Sequence, residues 1–239
     1  MKIGPLAFIL MCTSFAFGQS ISLDAFDKIM VSHRINLHLM EGDHEDLRFE
    51  FENIDADKIR YDVSNKRLSI YLEGARLTEP RERIENYRKS IYSGGQVHAY
   101  VTYRSLRKLV VRGEETVVCE TPIDIEKFTL RMYGEAEVDL AGIKAGYFKA
   151  ALYGENLLKI TNGNVDTQRF KLYGENKIRV RDVRCHDTHT TSFGENDLVI
   201  NSENLSLTVF GETDIAYAGP LHMRKKFVLG ESAIRNIAK

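Results

Sequence analysis

From Asp24 to about Leu72 the apolar residues fall on alternate positions. Phe26, Ile29 and Val31 open the pattern, and Ile35, Leu37 and Leu39 continue it up to a turn at Glu41-Gly42-Asp43. Leu47, Phe49 and Phe51 form the next run, followed by Ile59, Tyr61 and Val63. Ser64-Asn65-Lys66 then turns into Leu68, Ile70 and Leu72. Period-two apolar spacing broken by Gly, Asn and Asp predicts half-buried strands. Glu73 to Gln96 interrupts the alternation, being polar, rich in Arg and carrying Pro80 and Gly94-Gly95. It reads as a solvated connection, with a short helix over 80–88 as the alternative. Val97, Ala99, Val101 and Tyr103 restart the strand pattern.

A repeat then takes over. Gly-Glu pairs begin at Gly113, Gly134, Gly154, Gly174, Gly194, Gly211 and Gly230, at steps of 21, 20, 20, 20, 17 and 19 residues. Self-similarity at this period marks a solenoid. Four residues after each Gly stand Val117, Val138, Leu158, Ile178, Leu198, Ile215 and Ile234. Six after it stand Cys119, Leu140, Ile160, Val180, Ile200, Tyr217 and Asn236, and two before it Val111, Met132, Leu152, Leu172, Ser192, Val209 and Val228. The odd offsets hold polar residues such as Glu137, Asp139, Lys177, Arg179 and Asp197. Equivalent strands stacked about 4.8 Å apart turn these columns into aliphatic ladders. The expected fold is therefore all-β, a parallel β-helix or β-solenoid with rungs of about 20 residues in the C-terminal half. A terminal rung has an unpaired edge. The last one is expected to be covered by a loop or by another subunit, which opens homo-oligomerisation through the C-terminal rung.

The Gly column predicts a turn that needs positive φ or close packing. The preceding residue is aromatic five times, at Tyr133, Tyr153, Tyr173, Phe193 and Phe210. The following Glu135, Glu155, Glu175, Glu195 and Glu212 complete a candidate ligand-binding stripe. Strict alternation puts both columns outside, whereas a turn at the Gly flips either one. Asn156, Asn176 and Asn196 come next and suit an amide ladder along the rod. Stacked carboxylates repel by about 0.8 kcal/mol per pair in water. The Glu side chains can fan into solvent, pair with Lys, Arg or backbone N–H groups, or hold a cation or polar ligand.

A polysaccharide-active enzyme using the Glu face is the competing function, because adjacent carboxyls about 5 Å apart match a retaining glycosidase. Such chemistry requires one carboxyl kept protonated and the other ionised by different surroundings. A regular ladder gives each Glu the same surroundings, so the reading is not an enzyme, with no catalytic residue and no cofactor. In the cluster His186-Asp187-Thr188-His189 the two His are expected on opposite strand faces; a metal site completed by His222 is the alternative, but metal-ligand spacing is missing and solvated surface histidines are the reading.

Composition adds limits. The 239 residues carry a net charge of -1 and are 43% apolar, enough for a core and without the basic excess of a nucleic-acid binder. Residues 1–18 read as an export signal, with Lys2 before an apolar run and Ala16-Phe17-Gly18 as the cleavage site, leaving 19–239 as a single domain with a strand-rich part over 24–110 and repeats over 111–239. No further stretch is apolar enough for a helical membrane span. Export permits disulfides. Cys119 and Cys185, however, lie at different repeat offsets and read as small core residues.

The order of elements carries a resemblance. Phe26-Asp27-Lys28-Ile29-Met30-Val31-Ser32 leads to a Leu-x-x-Gly turn over Leu39 to Gly42; Val63-Ser64-Asn65 leads into Leu68-Ser69-Ile70, and Val101-Thr102-Tyr103-Arg104-Ser105-Leu106 into the repeats. Over about residues 24 to 235 this resembles the exported bacterial proteins described as "putative auto-transporter adhesin, head GIN domain". The resemblance implies a right-handed β-helix, a periplasmic, outer-membrane-associated or extracellular location, and an adhesin-like role toward a cell-surface glycan or envelope protein. It implies no catalytic residue. The aromatic-Gly-Glu step departs from the Ser-Gly-Ser or Ser-Gly-Asn steps usual in that family. A purely structural envelope scaffold is the third function considered.

Overall fold

The computed structural model describes residues 20–84 and 87–237, so the segment read as an export signal lies outside the described residues. Alternating apolar residues become strands, and the repeat stacks them into a solenoid with three faces. On the first face, Lys108–Gly113, Lys127–Gly134 and the end of Ile143–Gly154 pair in parallel, placing Val111, Met132, Leu152 and Leu172 in one column. On the second face, Thr116–Cys119, Glu137–Leu140 and Leu157–Ile160 align Val117, Val138, Leu158 and Ile178. The third face is short and aligns Ile123, Ile143 and Gly163. From Gly163 the chain stays extended to Ala218, winding across successive faces as one strand.

The core runs down the axis. The columns at the even offsets are buried from Val111 to Ile215, and Phe128, Phe148 and Phe170 are packed between them with ring centroids 5.8 and 6.1 Å apart. Burial of aliphatic and aromatic surface is the main favourable term. Farther along, the interior turns polar: Gln168 donates to Thr188 Oγ1, Thr188 donates to Ser202 Oγ, and Ser192 bonds Thr213.

The parallel stack begins before the Gly-Glu repeats. Lys28–Val31 pairs in parallel with Lys108–Gly113, and Ile35–Glu41 with Thr116–Cys119. The chain then crosses this rung and builds outward. Arg67–Leu72 and Gln96–Tyr103 add a further parallel layer. Ile59–Ser64 and Asp46–Glu52 flank it as antiparallel strands, the first as a sheet edge and the second carrying the short edge strand Ile21–Ser22. Antiparallel strands return by short turns, which is how 42–107 covers one end of the stack. Tyr61, expected inside by alternation, is 41% exposed because it sits on such an edge strand. The stretch 73–96 is neither a plain connection nor a helix: Arg81–Ile84 and Tyr87–Ser90 pair as a small separate hairpin sheet. At the other end, His222–Asn236 pairs only with the preceding rung among the described residues, and its core is thin, with Val228 and Ile234 half-buried.

Candidate functional site

Each repeat Gly occupies the corner between the first and second faces. All seven adopt positive φ, from 97° at Gly194 to 129° at Gly230. The rungs also approach too closely for a side chain, since a Cβ on Gly174 would lie 2.5 Å from the carbonyl oxygen of Gly154. Position and spacing thus both require glycine.

The corner sends the flanking residues outward. Tyr133, Tyr153, Tyr173, Phe193 and Phe210 form one surface stack, with successive centroids 5.0, 4.9, 5.1 and 4.7 Å apart and planes within 6° of parallel. The Arg112 guanidinium lies over the free face of Tyr133, 4.4 Å from its centroid. Each ring face therefore meets another ring or a cation, and the ring edges line the surface. Tyr153 is 38% exposed.

Two residues after each Gly the chain points inward. Asn156 Nδ2 donates to Asn176 Oδ1 and Asn176 Nδ2 to Asn196 Oδ1, both at 3.0 Å. The same oxygens accept the backbone N–H groups of Asn156 and Asn176. The amide ladder foreseen from the Asn column is present and buried, and it pins together the corners at Gly154, Gly174 and Gly194.

Between these columns Glu135, Glu155, Glu175, Glu195 and Glu212 are exposed, and no ion pair or side-chain hydrogen bond engages them among the described residues. Of the three outcomes open to the carboxylates, the geometry is that of side chains fanning into solvent. Glu155, Glu175, Glu195 and Glu212 line one side of an open groove of about 490 Å³, with Asp197 and Asp214 on the other. The groove is acidic, and Lys177 is the cation along it. The ten stripe residues thus share one continuous surface, with the aromatic edges beside the carboxylates.

A second surface was not singled out from the sequence. Five residues before Gly113, Gly154 and Gly174 the first face carries a cation, and Lys28 and Arg67 extend that column beyond the repeats. Arg67 pairs in register with Lys28, Lys28 with Lys108, Lys108 with Thr129, Thr129 with Lys149, and Lys149 with Arg169. Arg131 and Lys171 project beside it from the column two residues on, separated by Ala151. Like charges on neighbouring strands oppose folding by about 0.9 kcal/mol per pair in water. No carboxylate forms an ion pair with any of these seven cations among the described residues; Lys28 donates instead to the carbonyl of Asn65. Burial and then the surrounding cations Arg131, Arg67, Lys28 and Arg107 hold the Lys108 ammonium below its ordinary range. Burial and the neighbours Lys171, Arg131, Arg169 and Lys127 do the same to Lys149. The available signal was a set of Lys and Arg recurring at fixed offsets; register was needed to show that they adjoin.

The remaining candidates resolve simply. His186 and His189 both face outward, against the expectation of opposite faces, because residues 186 and 187 are consecutive outward positions at a corner where alternation slips. His186 contacts Glu203 at 2.6 Å, and no group of three His, Cys, Asp or Glu able to hold a metal occurs among the described residues. Cys119 and Cys185 are free and buried. Burial raises both thiols, Cys185 to about 11. No helix among the described residues is long and apolar enough to cross a membrane.

The fold has solved relatives. A "putative adhesin" from Bacteroides fragilis is 17% identical with a TM-score of 0.76, covering 94% of this chain and 98% of its own. A "putative adhesin" from Parabacteroides merdae is 11% identical at TM-score 0.66, over 95% and 97%. A "putative lipid binding protein" from Parabacteroides distasonis is 16% identical at 0.58, over 92% and 95%. At these identities the likeness is one of fold. No curated protein shows significant similarity to the chain. The family description that matches residues 25–220 is "Putative auto-transporter adhesin, head GIN domain", and the chain belongs to that family.

Proposed function

We propose that the chain is an adhesin-like binding module of the bacterial envelope or extracellular space, exported and acting without a catalytic step. The observation that carries this reading is the rung-to-rung equivalence of an exposed surface. Tyr133 to Phe210 and Glu135 to Glu212 present the same shallow, repeated groups along the rod. Such a surface suits an extended partner held by several weak contacts, a cell-surface glycan or an envelope protein. Catalysis needs one site whose surroundings differ from the rest. Family membership and the adhesin descriptions of the solved relatives agree with this reading. Self-association through this C-terminal rung is part of the proposal, because Phe227 and Leu229 are 50% and 65% exposed on a strand whose outer edge no other described residue pairs.

The test combines a glycan array, whole-cell capture and a deletion strain. A captured glycan or cell surface, with adhesion lost in the deletion strain, is the expected result. No partner, together with normal adhesion and envelope integrity in the deletion strain, overturns the reading. Release of glycan products, abolished by one Glu→Gln change in the stripe and not by the others, favours an enzyme instead. A phenotype that survives charge reversal along the whole Glu column favours a structural scaffold. Light scattering tests the self-association, which a strict monomer rules out.

A further inference from the structure

We propose that the cation column of the first face, Arg67, Lys28, Lys108, Lys149 and Arg169, is the binding site for an extended acidic polysaccharide carrying carboxylate or sulfate groups. The inference goes beyond the binding-module reading: it assigns a second contact surface, across the aromatic stack from the Glu column, and the chemistry of the partner that this face takes.

Three observations carry it. The first is charge without a partner. The protein's net charge is -1, yet this face gathers seven cations, with Arg131 and Lys171 beside the column, and no ion pair with a carboxylate engages them among the described residues. Elsewhere on the surface comparable cations are paired, as Lys159 is with Glu137 and Lys144 with Asp124. Anions laid along the column relieve a repulsion that folding alone leaves in place.

The second is geometry. Parallel register fixes the cations one or two strand spacings apart, about 4.8 or 9.6 Å along the rod. A polymer with an acid group on every sugar or every second sugar meets such a row without bending. The positions between the cations are short, at Val110, Thr129 and Ala151, so the face is flat enough for a ring-shaped repeat.

The third is what borders the face. The stacked rings of Tyr133, Tyr153 and Tyr173 offer edges, with hydroxyls, and not faces. Single-stranded nucleic acid needs open ring faces for its bases. Stable peripheral membrane binding adds buried apolar area to the attraction for anionic lipid, and the apolar residues within this array, Met30, Val110 and Ala151, are buried or short. Beyond the rings, the acidic groove repels a polyanion and keeps it on the basic side.

The experiment uses the full chain and immobilised probes: polygalacturonate for carboxylates, dextran sulfate for sulfates, and neutral dextran. Either polyanion should bind, and dextran should not. Replacing Lys149, Arg169 and Lys171 together by Ser should weaken polyanion binding at least tenfold and flatten its salt dependence. Replacing Lys144, Lys159 and Arg184, which lie on the other faces, removes equal charge and should change it less than twofold. Circular dichroism on both variants establishes folding, and the single change Arg169→Ser, at an exposed member of the column and expected to weaken binding about threefold, serves if the triple variant does not fold. Equal loss in both triple variants, or unchanged affinity in the first, overturns the proposal. Tighter binding of a single-stranded oligonucleotide or of phosphatidylglycerol vesicles than of either polysaccharide also overturns it. Polysaccharide bound through the column, with normal adhesion in the deletion strain, upholds this inference while the adhesion reading fails. Cell capture that persists in the first variant does the reverse.

Discussion

Tyr153 and Tyr173 stack with their ring centroids 4.9 Å apart and their planes 1° from parallel. The chain holds them in register because each precedes a Gly that sits directly beneath its neighbour, Gly154 beneath Gly174. The stack is therefore both surface and structure: its faces are spent on one another and its edges are left to solvent.

Removing one ring from the middle should be costly. Tyr173 has a ring on each face, so Tyr173→Ala should lower stability by about 1–3 kcal/mol, whereas Tyr173→Phe should stay within about 0.5 kcal/mol. Denaturant unfolding of both variants measures the difference. Equal effects would mean that the hydroxyl, and not the stack, matters.

The amide ladder makes a sharper demand. Asn176 is 1% exposed, accepts from Asn156 and donates to Asn196. Asn176→Ala leaves two donors of Asn156 without their acceptor, for an expected loss of about 2–4 kcal/mol. Retention of wild-type stability would show that the corner closes without its amides.

Gly174 has φ +102° and no room for a Cβ. Gly174→Ala should destabilise by about 1–3 kcal/mol from backbone strain, before any shift of the rungs. Gly94, with φ +85° and open space around it, isolates the backbone contribution, so Gly94→Ala should cost less in the same unfolding experiment.

Gln168 offers a change in the opposite direction. It is fully buried, and its Oε1 has no hydrogen-bond partner. Its amide donates to Thr188 Oγ1, which keeps its own donated bond to Ser202 when that amide is removed. Gln168→Met should be neutral or stabilise by up to about 1 kcal/mol, read as the unfolding midpoint. A loss above that range would place value on the polar interior.

Burial raises the Cys185 thiol from 9.0 to about 11. The unfolded chain gives up this proton first, so the associated stability is intact below about pH 9 and is lost as pH rises toward 11. Thiol labelling at pH 8 should be slow in the native protein and rapid after unfolding. Fast native labelling would place the sulfur nearer solvent than the fold does.

Much of this architecture was written in the local pattern. Val138, Leu158 and Ile178 declared their column by recurring at one offset from glycine, and the Asn column declared its ladder the same way. Alternation alone left the aromatic and Glu columns open, since a turn at the Gly could flip either one, and it took the positive-φ corner to put the ring edges and the carboxylates at the surface. The excursion from 42 to 107 was not legible: alternation identifies strands such as Ile59–Ser64 without saying which neighbour they take or in which direction. His186 and His189 were misplaced for a related reason, since a corner shifts the alternation and leaves no mark in residue type.

What the sequence determined by itself is whatever depends on separation along the chain: strand period, rung length, the glycine corners and the residues that face inward. Tertiary structure alone decided which side chains adjoin across the chain. Arg67, Lys28 and Lys108 share a column because the chain leaves its first rung, builds outward and returns. No local propensity encodes that path. It follows from the parallel register, which brings residues far apart in sequence within one strand spacing and turns unremarkable lysines and arginines into a continuous array of charge.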